Sequence, residues 1–305
     1  MSNGTSFDAA PVWLITGTSQ GLGKALLDGV LASGQRAVAT LRKPKVLAEY
    51  QRKYQESQLL VTQLDVSDSA RIVEVFREVK DKFGRLDVVV NNAGYGIAAE
   101  IETTPDEEAR KLFEVVFWGM VNISKQAIVF MRDINPPGLG GRILNLSSTT
   151  GYSANPVIGF YSAAKFALEG FTEALTKEML PEWNIKAMII EPGGFRTEWG
   201  RGNLVNYPIP PQYAAPGTPS SVLRKMLYGE MIGDPAKAAQ ALLRIAKEPN
   251  PPLRLQLGSE CLMIIREKAK QTLRDNEKWE DLSHSTNLDG YAKEMVLQQF
   301  KDAVS

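Results

Sequence analysis

PVWLITGTSQGLGKALLDGVLASG (11–34) decides how this chain is read. PVWLIT is a short apolar run stopped by glycine, the form of a strand buried on both faces of a parallel sheet. LGKALLDGVLAS (22–33) spaces its apolar residues at helical intervals and ends at Gly34, a candidate cap. Between the two, Gly17, Gly21 and Gly23 form a G-x-x-x-G-x-G turn. Glycine tolerates positive φ and lets backbone approach a ligand closely. The free N–H groups where the helix begins favour an anion such as a pyrophosphate. A purely structural glycine turn is the alternative, and the spacing departs from the G-x-G-x-x-G of the usual dinucleotide fingerprint.

The alternation continues outward. RAVATL (36–41), LLVTQLD (59–65), LDVVVNNAG (86–94), RILNLSS (142–148) and IKAMIIEPGG (185–194) read as strands. Helical spacing fills 69–84, 106–133 and about 157–180. Strand–helix alternation implies right-handed crossovers and a doubly wound, mostly parallel sheet covered by helices on both faces. No composition break divides the series, so one domain over 1–305 is expected. Regularity fails over 195–233, rich in Pro, Gly and aromatics, as in a lid or binding loop. A helix (234–248), a last strand PLRLQLG (252–258) and a charged helical tail from about 259 to 305 follow.

Composition narrows the chemistry. Lys+Arg and Asp+Glu balance at 35 each, so overall charge makes no case for nucleic acid or an anionic membrane. The one cysteine, Cys261, and the one histidine, His284 in LSHSTN, leave no Cys-cluster metal site and argue against a Ser-His-Asp or metal-His mechanism. No metal is therefore expected. MSNGTSFDAAP (1–11) has neither a basic segment nor an apolar core and does not read as a signal peptide. No apolar run approaches the roughly 18 residues that span a bilayer. A cytoplasmic location without membrane attachment is the expectation.

YSAAK (161–165) sets a tyrosine and a lysine four apart, on one face of a helix. Alone, such a pair is as consistent with a buried ring beside a solvated charge as with an acid–base device. In the company of TGTSQGLG (16–23), Asp65, NNAG (91–94), the serine of NLSS (145–148) and PGGFRT (192–197), the chain resembles the short-chain dehydrogenase/reductase family, single-domain type. The matching features run from 12 to 197. ATLR (39–42) and FALEG (166–170) resemble the 17β-hydroxysteroid dehydrogenase-like branch.

The resemblance implies a seven-stranded Rossmann-type sheet and an oxidoreductase that interconverts a ketone or aldehyde and an alcohol by hydride transfer. It implies that Gly17, Ser19, Gly21, Leu22 and Gly23 shape the cofactor phosphate turn. Asp65 would accept from the adenine amino group, and Asn92, Ala93 and Gly94 would line the adenosine. Pro192, Gly193, Phe195 and Thr197 would hold the nicotinamide carboxamide. Asp65 could instead cap SDSAR, and NNAG could be a plain turn. Ser148, 13 residues before Tyr161, rather than Ser147, would polarise the substrate oxygen. Tyr161 would be the general acid and base, and Lys165 would bind the nicotinamide ribose and favour the phenolate. Bringing a tyrosine from about 10 to about 7 takes roughly 4 kcal/mol.

Cofactor choice rests on local residues. An acid at the end of the second strand would hold an NAD ribose hydroxyl. Here that strand ends ATLRKPK, with Arg42, Lys43 and Lys45 and no acid at 40–45. Arg pairs with a 2′-phosphate through charge-assisted hydrogen bonds, so NADP(H) is expected over NAD(H). One departure stands out: Val116 occupies the position where the family has an asparagine that anchors a proton-relay water and supports a local helix distortion. Asn122 lies on a different helix face. The lid aromatics Phe195, Trp199, Tyr207 and Tyr213 fit a bulky apolar carbonyl substrate or packing among themselves. Homo-oligomerisation through 106–133 and 157–180 is a family implication. Reduction of an imine or conjugated double bond on the same site, and a non-catalytic NADP(H)-binding scaffold, are the alternatives.

Overall fold

The computed structural model describes residues 10–289, 291 and 293–304. Residues 1–9 of the segment read as lacking a signal peptide lie outside the described residues. The first strand, β1 (Val12–Thr16), is buried along its whole length and leads through the glycine turn into α1 (Gly21–Ala32). β2 (Arg36–Leu41), α2 (Ala48–Lys53), β3 (Leu59–Gln63), α3 (Ser69–Phe83) and β4 (Val88–Asn91) complete the first half. Asp68 caps α3 by accepting from Arg71 N–H at 2.9 Å, and Gly84 closes it in the left-handed conformation.

After β5 (Gly96–Ala98) a long helix runs from Asp106 to Asp133 in three parts. These are α4 (Asp106–Phe113), a π-helical segment (Glu114–Trp118) and α5 (Gly119–Asp133). β6 (Gly141–Leu146), α6 (Gly159–Glu178) and β7 (Ile185–Pro192) follow. Next come α7 (Trp199–Gly202), β8 (Leu204–Asn206), α8 (Pro219–Leu227), α9 (Pro235–Ile245) and β9 (Arg254–Leu257). The chain ends with α10 (Ser259–Lys278), α11 (Glu280–His284) and α12 (Lys293–Val304).

Seven strands form one sheet in the order β3-β2-β1-β4-β6-β7-β9, parallel at every pairing. Side chains of β1 alternate between two cores. Trp13 and Ile15 pack with α1 and α9, while Val12 and Leu14 pack with α3 and α5. Helices therefore cover both faces, as a parallel sheet requires. Strand order reverses between β1 and β4, and the crevice beyond their carboxyl ends is where such sheets bind ligands.

One expectation is corrected and a second refined. The stretch 195–233 is not wholly irregular: β8 pairs in parallel with β5, Gly96 against Leu204, and α8 is capped by Thr218. A three-residue strand is too short to declare itself by periodicity. The absence of an apolar run near 18 residues holds for unbroken runs but understates the helix Asp106–Asp133, which over an 18-residue window is apolar enough to cross a membrane by length and composition alone. Its apolar residues are interrupted by Gly, Asn, Ser, Lys and Gln. Half of that window is buried inside the protein, which is how a core helix behaves.

The chain divides into two compact units, Met1–Leu262 and Met263–Ser305. In the second, Glu280 takes Lys293 at 2.5 Å and lies 3.5 Å from His284 Nε2. The single histidine thus belongs to a surface ion-pair group.

Candidate active site

The glycine turn is built by close approach. Gly17 and Gly21 have φ of +71° and +61°, a region that disfavours other side chains. A Cβ on Gly17 would lie 2.9 Å from Ala93 Cα, and one on Gly23 would lie 2.4 Å from the Asn92 side chain. Asn92 Nδ2 donates to the Thr16 carbonyl at 2.8 Å, and Thr16 Oγ1 accepts from the N–H groups of Asn92 and Ala93 at 2.9 Å. NNAG is therefore the brace of the glycine turn. A Cβ on Gly21 would meet only Thr197, at 3.5 Å, so the cradle opens toward PGGFRT. Gly94 faces Val116. Bare glycine backbone at a helix start is a surface that fits a dinucleotide pyrophosphate.

The rim of this crevice carries the remaining candidates. Leu22 packs against the core under α1, whereas Ser19 is exposed. Arg42 and Lys43 are exposed just past β2 and make no salt bridge among the described residues. Asp65 is exposed and accepts from Ser67 N–H at 3.0 Å and Ser67 Oγ at 2.7 Å. It closes a local turn, and capping falls to Asp68. Pro192 ends β7 and accepts from Thr149 Oγ1, while Gly193 N–H donates to Leu257 at 2.8 Å. Glu260, which the sequence reading missed, holds Gly194 N–H at 2.8 Å. Phe195 bridges to Gly233 and packs toward the α1–α9 core.

Ser148, Tyr161 and Lys165 converge at the carboxyl end of β6 and the first turns of α6. Ser148 begins a short 3₁₀ turn in extended conformation, its Oγ accepting from Thr150 N–H at 3.2 Å. It lies close enough to Tyr161 to favour the ionised phenol. Ser147, the neighbour, is buried and points instead to Glu169 Oε1 at 2.6 Å. Val157 turns the chain into α6 with φ of +66°, and Ile158 N–H closes back on Pro156 at 2.7 Å. A buried β-branched residue in that region stores backbone strain of about 1–3 kcal/mol, held by the surrounding packing. Lys165 Nζ donates to the Leu146 carbonyl at 2.5 Å and lies 5.6 Å from the centre of the Tyr161 ring.

Burial dominates the electrostatics of the pair. It pushes the Tyr161 phenol up to about 12, and Ser148 only partly opposes it. Burial also pushes Lys165 down to about 7 against the attraction of Glu169. Both groups are desolvated, and the ammonium is held by a carbonyl rather than by the phenol. Burial consequently favours the neutral phenol.

An apolar roof covers the pair. Trp199 lies over Tyr161 with ring centres 5.6 Å apart, and Tyr207, Leu223 and Leu227 join the same cluster. Phe195 packs elsewhere, and Tyr213 faces Glu102. Arg224 of α8 locks this roof down. It pairs with buried Glu100 at 2.9 Å and donates to the carbonyl of half-buried Tyr207 at 3.0 Å. Val116 is fully buried beneath the same cluster, within the π-helical segment. The helix distortion therefore exists without an asparagine side chain.

Comparison with known proteins agrees with this geometry. The short chain dehydrogenase family profile matches residues 11–204. An uncharacterised oxidoreductase of Schizosaccharomyces pombe is 37% identical over 284 residues, covering 91% of this chain and 92% of that protein. A 3-ketodihydrosphingosine reductase of Bacteroides thetaiotaomicron is 31% identical over 264 residues, covering 86% and 93%. The crystal structure of a short-chain dehydrogenase from Streptomyces avermitilis superposes with a TM-score of 0.83 at 33% identity, covering 92% of this chain and 99% of that one. With its seven-stranded parallel sheet and nucleotide-binding crevice, the chain belongs to the short-chain dehydrogenase/reductase family of oxidoreductases.

Proposed function

We propose that the chain is an NADP(H)-dependent oxidoreductase that interconverts a ketone or aldehyde and an alcohol. One observation carries this reading: buried Tyr161 and Lys165, one helical turn apart with the ammonium 5.6 Å from the ring centre, converge with Ser148 at the mouth of the crevice. The nicotinamide dinucleotide supplies or takes up the hydride when bound. Gly17, Ser19, Gly21, Leu22 and Gly23 would hold its pyrophosphate, and Arg42 and Lys43 its 2′-phosphate. Asp65 and Asn92–Gly94 would flank the adenosine. Pro192, Gly193, Phe195 and Thr197 would hold the carboxamide, and Lys165 the ribose.

In reduction, Ser148 Oγ–H and Tyr161 O–H both donate to the substrate oxygen. Charge growing on that oxygen draws the phenolic proton across, completing the alcohol. Charged Lys165 stabilises the tyrosinate left behind, and the apolar roof excludes water that would weaken that attraction. The proposal extends to a bulky apolar substrate, supported by Trp199, Leu223 and Leu227 over Tyr161. It also places the chain in the 17β-hydroxysteroid dehydrogenase-like branch, supported by ATLR and FALEG. The test is NADPH consumption against aliphatic, aromatic and polycyclic ketones. Tyr161→Phe should abolish turnover while NADPH binding, followed by fluorescence, persists. A variant that keeps most of its activity would overturn the mechanism.

A further inference from the structure

Behind Lys165, on the side away from Tyr161, lies a buried group of charges drawn from three elements. Glu169 stands one turn after Lys165 on α6 and is almost fully enclosed. Its Oε1 accepts from Ser147 Oγ at 2.6 Å, and its Oε2 takes Arg254 Nε of β9 at 3.2 Å. Arg254 also reaches Glu173 at 3.0 Å. Glu191 of β7, wholly buried, accepts from Gln256, and its Oε1 makes no hydrogen bond but lies 4.0 Å from Arg254 Nε; the neighbouring Glu169 charge helps burial raise its carboxyl to about 7. Buried charges cost free energy unless paired, and apolar side chains could have filled this space. The expense is concentrated one helical turn from the ammonium on which the proposed acid depends.

Charges facing Lys165 can be taken element by element. Its own helix presents Tyr161 and Glu169. β6 and the turn after it present the Leu146 carbonyl and the hydroxyls of Ser147 and Ser148, none of them charged. β7 presents Glu191 and β9 presents Arg254, both on the far side of Glu169. The π-helical segment presents Val116, which is apolar. Among these, Glu169 is the charge whose attraction opposes the effect of burial on Lys165. Arg254 pairs with Glu169 at 3.2 Å.

We propose that Glu169 is a positioning residue for catalysis: anchored by Ser147 and Arg254 one helical turn from Lys165, its carboxylate keeps the buried ammonium charged beside Tyr161. The inference rests on the reading of Tyr161 and Lys165 given above. Tyr161 stays protonated to about 12, so Lys165, near 7, is the first of the pair to change charge as pH rises. Loss of activity on the alkaline side then reports the lysine, and Glu169 sets where it falls.

Two variants and two readouts test this. Glu169→Gln removes the charge at nearly constant shape; Glu169→Asp keeps it. The alkaline limb of kcat/KM for NADPH-dependent ketone reduction should move down by about one pH unit in Glu169→Gln. That is roughly tenfold lower kcat/KM above the limb, with little change below it. Glu169→Asp should keep the wild-type limb even where its maximal rate is reduced. The second readout is independent of turnover: the Lys165 Cε chemical shift in cofactor-free protein carrying ¹³C-lysine, assigned against Lys165→Met. Its midpoint should fall in Glu169→Gln and stay in Glu169→Asp. An unchanged lysine midpoint in Glu169→Gln, or equal displacement in both variants, overturns the proposal. Wild-type protein that reduces no ketone overturns the functional reading instead, and the lysine titration still decides the role of Glu169.

Discussion

Lys165 shows how far one residue's surroundings can move its chemistry. A solvated lysine titrates at 10.5; here burial brings it to about 7. Between those values the unfolded chain binds more protons than the folded one, so this group's contribution to stability rises with pH. Lys165→Met should accordingly be more stable than wild type at pH 6, by on the order of a few kcal/mol. The advantage should shrink as pH is raised from 7 toward 10.5, measured by denaturant melts across that range. A constant difference would show that the ammonium is not the cause. Arg42 makes the opposite case, being exposed and making no salt bridge among the described residues. Arg42→Ala should weaken NADPH binding about tenfold, the worth of a hydrogen bond to a charged group, and leave NADH nearly unchanged. Equal loss for both would remove the 2′-phosphate assignment.

At the scale of elements, the segment 195–233 is held by a bond the sequence does not advertise. Arg224 and Glu100 are 124 residues apart and nearly enclosed. Removing one partner of a buried pair leaves an uncompensated charge and costs about 3–5 kcal/mol. Arg224→Met should free the segment, seen as faster limited proteolysis within 196–233, while β1 to β4 stay protected. An unaltered cleavage rate would mean that Trp199 and the β5–β8 pairing hold the segment unaided. The π-helical segment teaches a related lesson. Its distortion persists with Val116, so backbone packing against the roof cluster suffices to keep it.

At the scale of the molecule, the alternation of strands and helices was legible because a parallel sheet buried on both faces demands unbroken apolar runs. The glycine turn was legible because few other residues fit its φ values and its approach to Ala93 and Asn92. Glu169 could have been suspected, being four residues after Lys165. Glu191, Arg254 and Glu260 could not, because each is an ordinary polar residue in its own segment. The β5–β8 pair and the membrane-length helix also escaped, one through shortness and the other through interspersed polar residues.

The sequence by itself determined the sheet, the glycine turn and the order Ser148, Tyr161, Lys165, since each depends on local periodicity or on spacing along the chain. Only the tertiary structure decided the charge states. The Tyr161 phenol is kept neutral and Lys165 is brought down to about 7 because Trp199, β6 and β7 help to remove water from around them. Desolvation is a property of what surrounds a side chain, and those surroundings come from parts of the chain far apart in sequence.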